Sequence, residues 1–407
     1  FKQKTAYEIS TRDWSSDVCS SDLVPIDPIR ARPGRPFKPR RVGGVNVVGY
    51  LNAALGVGEV ARSVIRALDV AGIDSSPISI SSQGLKKNVS FLAFQPEHGF
   101  AFDQSIFCVN ADMLPLVMDD LITTPAADRY TTAIWWWELD CVPKAAVEAI
   151  HLVDELLVGS EFIAQAFRRH SPVPVSVFPV PVVLGEPSPL GDALLPGGAT
   201  WPRGFTFYFS FDCNSVVARK NPRALIEAFT RAFPKRGQAN LVLKSLNADN
   251  ARSEYRELVE SAEGREDVVF IDGDVTSNVR DSMLAAADCY VSLHRSEGLG
   301  LTMAEAMYFG KPVIATGYSG NVDFMDATNS LLIDYQLTPV GVGADPYPSD
   351  AVWADPDIEQ AARSMRRVFE DSVLARSLGR RAAASIRETN SLESASRAIV
   401  DWLTVTA

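Results

Sequence analysis

Residues 294–320, HRSEGLGLTMAEAMYFGKPVIATGYSG, decide the fold. Gly298 and Gly300 carry no Cβ to hold a ligand off the backbone, and residues 301–309 read as a short helix whose free N–H groups face an anion at its start. Glu297 precedes that helix and Glu305 lies about one turn inside it. Eight residues apart, the two carboxylates can flank one ligand rather than pair with each other. Gly310 ends the helix, Lys311-Pro312 prevents its continuation, and Val313–Thr316 reads as a buried strand. A phosphate suits the helix start and sugar hydroxyls suit the carboxylates. On spacing alone, an ordinary αβ unit with two surface glutamates fits the same residues.

The alternation continues outward. Residues 205–229, FTFYFSFDCNSVVARKNPRALIEAF, give a strand, a loop with the adjacent cations Arg219 and Lys220, and an amphipathic helix. Such cations can neutralise a diphosphate leaving group, or serve as structural surface charges. Residues 241–245 and 268–275 read as parallel strands whose carboxyl ends line a ligand pocket, with Val275 at its border and Lys244 as a salt-bridged strand residue. Near the start, residues 45–50 form a strand, Gly56 and Gly58 a glycine loop, and a helical pattern runs through Ala71 to Gly72; the glycines fit either a ligand-facing loop or a tight turn. Arg62 reads as a surface or structural residue. Residues 132–140, TAIWWWELD, form an apolar strand ending in three tryptophans and Glu138. Trp137 and Glu138 are candidates for an acceptor-binding surface, and the same rings fit core packing. Residues 153–167 give a strand and then a helix capped by Ser160.

The pattern E-G-x-G-L-x-x-x-E-A followed by G-x-P-V-I-A-T resembles the signature of family 4 glycosyltransferases, retaining enzymes of the GT-B fold. Glu297, Gly298, Gly300, Leu301, Glu305, Ala306, Gly310, Pro312, Val313 and Thr316 carry the match. The resemblance implies an α/β chain of two facing Rossmann-like domains with an interdomain cleft, the donor held mainly by the C-terminal one and the acceptor by the N-terminal one. By the same resemblance Glu297 meets the donor sugar, Glu305 the ribose diol, and the backbone of Gly298, Leu299, Gly300 and Leu301 the diphosphate. Lys220 and Arg219 then join Glu297 as catalytic residues, and Gly56, Gly58 and Val275 join the donor site. A W-x-W-E-L pattern of some family members resembles residues 135–139. The chain departs from the family in having S-x-x-x-R-K-N-P where G-R-x-x-x-x-K-G is common, in lacking P-N-G-V-D, and in offering no assignable histidine on the N-terminal side.

The activity so implied moves a hexose, mannose from GDP-mannose first, from a GDP- or UDP-linked sugar to a glycan or lipid-linked acceptor in surface polysaccharide synthesis, with retained anomeric configuration. It needs no metal and no cofactor beyond the nucleotide-sugar co-substrate. A GT-B sugar-nucleotide epimerase and a non-catalytic nucleotide-sugar-binding scaffold subunit are the other readings of the same pocket.

Composition agrees with a globular α/β protein: 46% hydrophobic and 22% charged residues. A net charge of -11 argues against a general nucleic-acid binder. No uninterrupted apolar run approaches a membrane span, so a soluble, cytoplasmic protein is expected, with peripheral contact to an inner membrane as its one membrane option. That option rests on residues 30–41, a run with six basic residues and no acid, which fits either a solvated linker or a contact with anionic lipid. Cys108, Cys141, Cys213 and Cys289 show no C-x-x-C spacing, and His98, His151, His170 and His294 show no metal spacing. Residues 1–23, which include Cys19, resemble a translated sequencing adaptor, leaving the natural N-terminus unknown. The expected organisation is a non-native segment 1–23, a basic Pro-rich linker 24–42, an N-terminal Rossmann-like domain 43–186, a linker 187–202, a C-terminal Rossmann-like domain 203–390, and a final helical segment 391–407 that crosses back to the N-domain.

Overall fold

A computed structural model describes residues 43–53, 56–80, 100–121, 129–191 and 195–404. The adaptor-like and basic segments read at 1–23 and 24–42 lie outside these residues. The chain divides into two units. Among the described residues, the first comprises those up to Pro181 with Asp345–Ala351 and those from Asn390; the second comprises those within Val182–Ala344 and Val352–Thr389.

In the first unit the strands are Val45–Gly49 (β1), Ser75–Ser79 (β2), Gln104–Cys108 (β3), Tyr130–Trp135 (β4), Glu155–Val158 (β5) and Val175–Val177 (β6), in the spatial order β2-β1-β3-β4-β5-β6. All pairs are parallel. Continuous burial along β1, β3, β4 and β5 is what a parallel sheet covered on both faces requires. The helices are Gly56–Val70 (α1), Leu114–Leu121 (α2), Lys144–Ala149 (α3) and Glu161–Arg168 (α4). Ser160 caps α4, its side chain accepting from the Ile163 N–H.

Gly56 and Gly58 fall in the first turn of α1 rather than in a loop before it. A Cβ on Gly58 would stand 2.6 Å from the Tyr50 carbonyl oxygen, so close packing of the helix start on the β1 turn explains this glycine. Arg62 is buried and structural: Nη1 donates to the carbonyls of Leu51 at 2.9 Å and Ala53 at 3.1 Å, and its other edge pairs with Glu59 at 2.7 Å.

The second unit contains Thr206–Asp212 (β7), Asn240–Leu246 (β8), Val268–Asp272 (β9), Cys289–Ser292 (β10), Val313–Thr316 (β11) and Leu331–Ile333 (β12), ordered β12-β11-β10-β7-β8-β9. Every pair is again parallel. Its helices are Val217–Lys220 (α5), Pro222–Ala232 (α6), Arg252–Ser261 (α7), Ser277–Ala286 (α8) and Leu301–Tyr308 (α9), then Ile358–Glu370 (α10) and Ser372–Thr389 (α11). The order reverses between β7 and β10, which makes their carboxyl edge the switch point of the sheet, the place where open α/β sheets bind ligands.

Tyr335–Pro339 (β13) and Val352–Pro356 (β14) form an antiparallel ribbon. Between them the chain makes an excursion, 345–351, that belongs to the first unit. The last helix, Leu392–Thr404 (α12), also belongs there: Trp402 Nε1 donates to Glu155 Oε2 on β5 at 2.8 Å, and the Tyr130 hydroxyl donates to the same oxygen at 3.0 Å.

Candidate active site

The loops at the switch point of the second sheet bring together residues far apart in sequence. After β7 the chain passes through Val216, whose φ of 59° is an outlier for a β-branched residue, into the single turn α5. Asn221 in the left-handed region then redirects it into α6, whose first residue is Pro222. The Asn221 side chain donates to the Leu293 carbonyl at 2.9 Å, and the Arg295 N–H donates to the Arg219 carbonyl at 2.8 Å. These bonds zip the loop after β7 to the loop after β10.

The zipped loops hold three charges. Lys220 Nζ lies 2.5 Å from Glu297 Oε1, and Arg219 Nη1 lies 3.3 Å from Oε2. Arg219 is buried and also donates to the Ser296 carbonyl at 2.8 Å. Burial alone would raise the Glu297 pKa. The neighbouring Lys220 and Arg219 outweigh it and hold the carboxyl at about 2, so Glu297 is ionised at neutral pH. Two cations against one anion leave the cluster with an excess positive charge, suited to an incoming phosphate.

Helix α9 starts beside this cluster in sequence. Gly300 is its N-cap at φ 90°, a left-handed conformation that glycine adopts without strain. Gly298 and Leu299 are buried, and Leu301 is half-buried at the first helical position. Glu305, on the second turn, is only 9% exposed. Its charge, with burial and Tyr290 ahead of it, raises the pKa of the Tyr208 phenol. The helix ends at Tyr308, and Gly310 follows at φ 70°.

A third loop, after β11, supports Glu297 from behind. Ser319 Oγ accepts from the Glu297 N–H at 2.8 Å, and the Gly320 N–H donates to the Glu297 carbonyl at 3.0 Å. A Cβ on Gly320 would stand 2.0 Å from the Gly298 carbonyl oxygen, so only glycine fits. Ser319 has φ 76° and ψ -149°, a region left almost entirely to glycine and worth roughly 1–3 kcal/mol of strain in other residues. His294 is fully buried in this lacing. Its Nε2 faces the Tyr318 carbonyl at 3.3 Å and Asn321 Oδ1 at 3.1 Å, which assigns the ring proton to that nitrogen, while Nδ1 lies 3.0 Å from Ser292 Oγ. Burial lowers its pKa, against the pull of Glu297, and the imidazole is neutral at neutral pH.

Ser319, Asn321 and His294 escape sequence reasoning. Gly317 and Gly320 mark a tight turn, but nothing in T-G-Y-S-G announces that a serine takes the left-handed position or that its hydroxyl meets Glu297.

The other candidates stand elsewhere. Val275 is half-buried just past β9, two strands from β7. Lys244, read as a salt-bridged residue, instead donates to the carbonyls of Ser245 and Gly273, each at 2.6 Å, tying the ends of β8 and β9 together. Gly56, Gly58, Trp137 and Glu138 lie in the first unit. Trp137 is 7% exposed, with its indole N–H on the Cys141 carbonyl at 2.6 Å and its ring 5.4 Å from that of Tyr347. Glu138 accepts from the Tyr347 hydroxyl at 2.8 Å. Trp135 is fully buried against Phe167, and Trp136 lies over Gly159. Among the described residues no group of three or more His, Cys, Asp or Glu could hold a metal ion, and no helix is long and apolar enough to cross a membrane.

Two doubly wound α/β units, the second with a charged cluster at its switch point, define the GT-B fold class. Residues 209–385 match the family model described as "Glycosyl transferases group 1", and the chain shares the GT-B fold of the solved structures it resembles. Among solved structures it is similar to HepE of Anabaena in complex with UDP and glucose, at 13% identity and TM-score 0.63, covering 89% of this chain and 99% of that one. It is similar to sucrose-phosphate synthase of Thermosynechococcus elongatus, at 15% identity and TM-score 0.60, covering 88% and 98%. It is also similar to a mutant TarM of S. aureus in complex with fondaparinux, α-GlcNAc-glycerol and UDP, at 15% identity and TM-score 0.54; 74% of this chain spans only 55% of that one. No curated protein sequence matches the chain significantly.

Proposed function

We propose that this protein transfers a hexose from a nucleotide sugar to a glycan or lipid-linked acceptor with retention of anomeric configuration. The observation that carries the reading is the Arg219–Glu297–Lys220 cluster at the switch point of the second sheet, one turn before the start of α9. Lys220 and Arg219 neutralise the diphosphate as the glycosidic bond breaks, when its charge grows. The N–H groups at the start of α9 take the phosphate oxygens, Glu297 orients the sugar through its hydroxyls, and Glu305 holds the ribose diol. The acceptor hydroxyl approaches the face that the diphosphate leaves, and the departing phosphate takes its proton, so no protein nucleophile is required.

GDP-mannose is the first donor to test. The UDP present in the HepE and TarM structures makes UDP-sugars the second arm. Thermal shift of the protein against a panel of GDP- and UDP-sugars, beside Glu305→Ala, tests the reading. A shift with one donor that the variant loses supports the pocket and names the base. No shift with any of them sinks it.

A further inference from the structure

We infer that Ser319 is a positioning residue for the donor-sugar carboxylate of Glu297, acting through the Glu297 backbone. The inference rests on the role proposed above for Glu297. Its ground is a mismatch between side chain and backbone. At φ 76° and ψ -149° a glycine would complete the turn without strain. What a glycine cannot supply is the hydroxyl, which accepts the Glu297 N–H at 2.8 Å and donates to the Tyr318 carbonyl at 2.5 Å. Ser319 is 3% exposed, so water does not replace those bonds. The Tyr318 carbonyl and Asn321 are in turn held by buried His294, which fixes the turn from its far side.

The need for such an anchor follows from the cluster. Without donor, the Glu297 carboxylate is fixed by Lys220. When a diphosphate draws Lys220 toward itself, that restraint weakens just as Glu297 must hold a sugar hydroxyl in place. The Ser319 bond engages the main chain and is untouched by that exchange.

Ser319→Gly and Ser319→Ala in the full chain separate this role from a merely structural one. The probes are UDP-glucose and GDP-mannose for turnover, read as hydrolysis of the donor with water taking the sugar, with UDP and GDP for binding. Ser319→Gly relieves the strain but leaves the buried Glu297 N–H without its acceptor, two opposing effects of similar size, so its Tm should stay within a few degrees of wild type. It should also lower kcat about fivefold or more, while the Kd of the nucleoside diphosphate stays within about twofold. Ser319→Ala keeps the strain, so it should lose activity to a similar extent with a lower Tm. Wild-type turnover by Ser319→Gly would overturn the inference and leave the serine a turn residue only. Parallel loss of nucleotide binding and turnover in both variants would overturn it too, pointing to collapse of the whole loop. A wild-type protein that binds neither nucleotide and turns over neither sugar would instead remove the donor-site reading on which the inference stands.

Discussion

Glu297 is a carboxylate that two cations keep ionised in a largely buried place, and its titration should report on that environment. Its ordinary pKa of 4.5 falls to about 2 in the folded chain. The folded state therefore favours the ionised form, and the stabilisation is complete above the unfolded value. It is lost as pH falls from about 4.5 through about 2. The Tm gap between wild type and Glu297→Gln should be widest near about pH 6 and should close progressively through that acid window. A gap independent of pH would mean that the Lys220 contact contributes nothing to stability. At this scale the sequence was informative where chemistry and chain order coincide. The E-G-x-G-L-x-x-x-E spacing picks out Glu297 and Glu305, and the R-K pair picks out Arg219 and Lys220. It was silent where a backbone angle decides: Ser319 and Val216 adopt conformations that their side chains disfavour, and no local pattern encodes a penalty compensated by distant contacts.

The helix start at Leu301, the glycine after its end and the strand Val313–Thr316 were legible because each has its own signal: a Cβ-free cap, a left-handed terminator and an apolar run behind Lys-Pro. The pairing of three loops around one carboxylate was not, since it depends on which strands are neighbours. Gly320 belongs to this pairing. In Gly320→Ala the new methyl meets the Gly298 carbonyl oxygen at 2.0 Å, backbone against side chain, so one of the two loops must move. The expected cost is about 1–3 kcal/mol in urea denaturation. The donor-induced thermal shift should fall with it, because the displaced turn also carries the Ser319 contact. An unaltered donor shift in a destabilised Gly320→Ala would separate the turn from the site. Gly379 of α11 makes a comparable approach, its Cβ position lying 1.9 Å from the Gly310 carbonyl oxygen, and helps fix the far end of α9.

The two units each have a parallel sheet, and strand–helix alternation in the sequence forecast both. The chain passes between the units four times, after Pro181, Ala344, Ala351 and Thr389, and nothing in the sequence marks the second and third passages, which bound the excursion at 345–351. The excursion at 345–351 has no periodicity of its own, and its identity rests on single contacts such as Tyr347 with Trp137 and Glu138. Helix α12 has a clear apolar stripe, but a stripe does not name the surface that covers it. In the structure that surface is the first unit, with Trp402 bonded to Glu155. Trp402→Ala should cost roughly 3 kcal/mol or more by removing a mostly buried aromatic. Hydrogen exchange should accelerate in α1 and β5 of the first unit and not in β7 to β10 of the second. Uniform acceleration would show that the helix supports both alike.

The return of α12 has a consequence for cutting the chain. A single nick after Pro181 yields two pieces that do not correspond to the two folding units, because the later piece carries Tyr347, Asn390 and Trp402, all built into the earlier one. Such pieces are unequal partners: the later one holds all of the second unit, while the earlier one lacks part of its own core and is completed by it as a split reporter is completed by its missing segment.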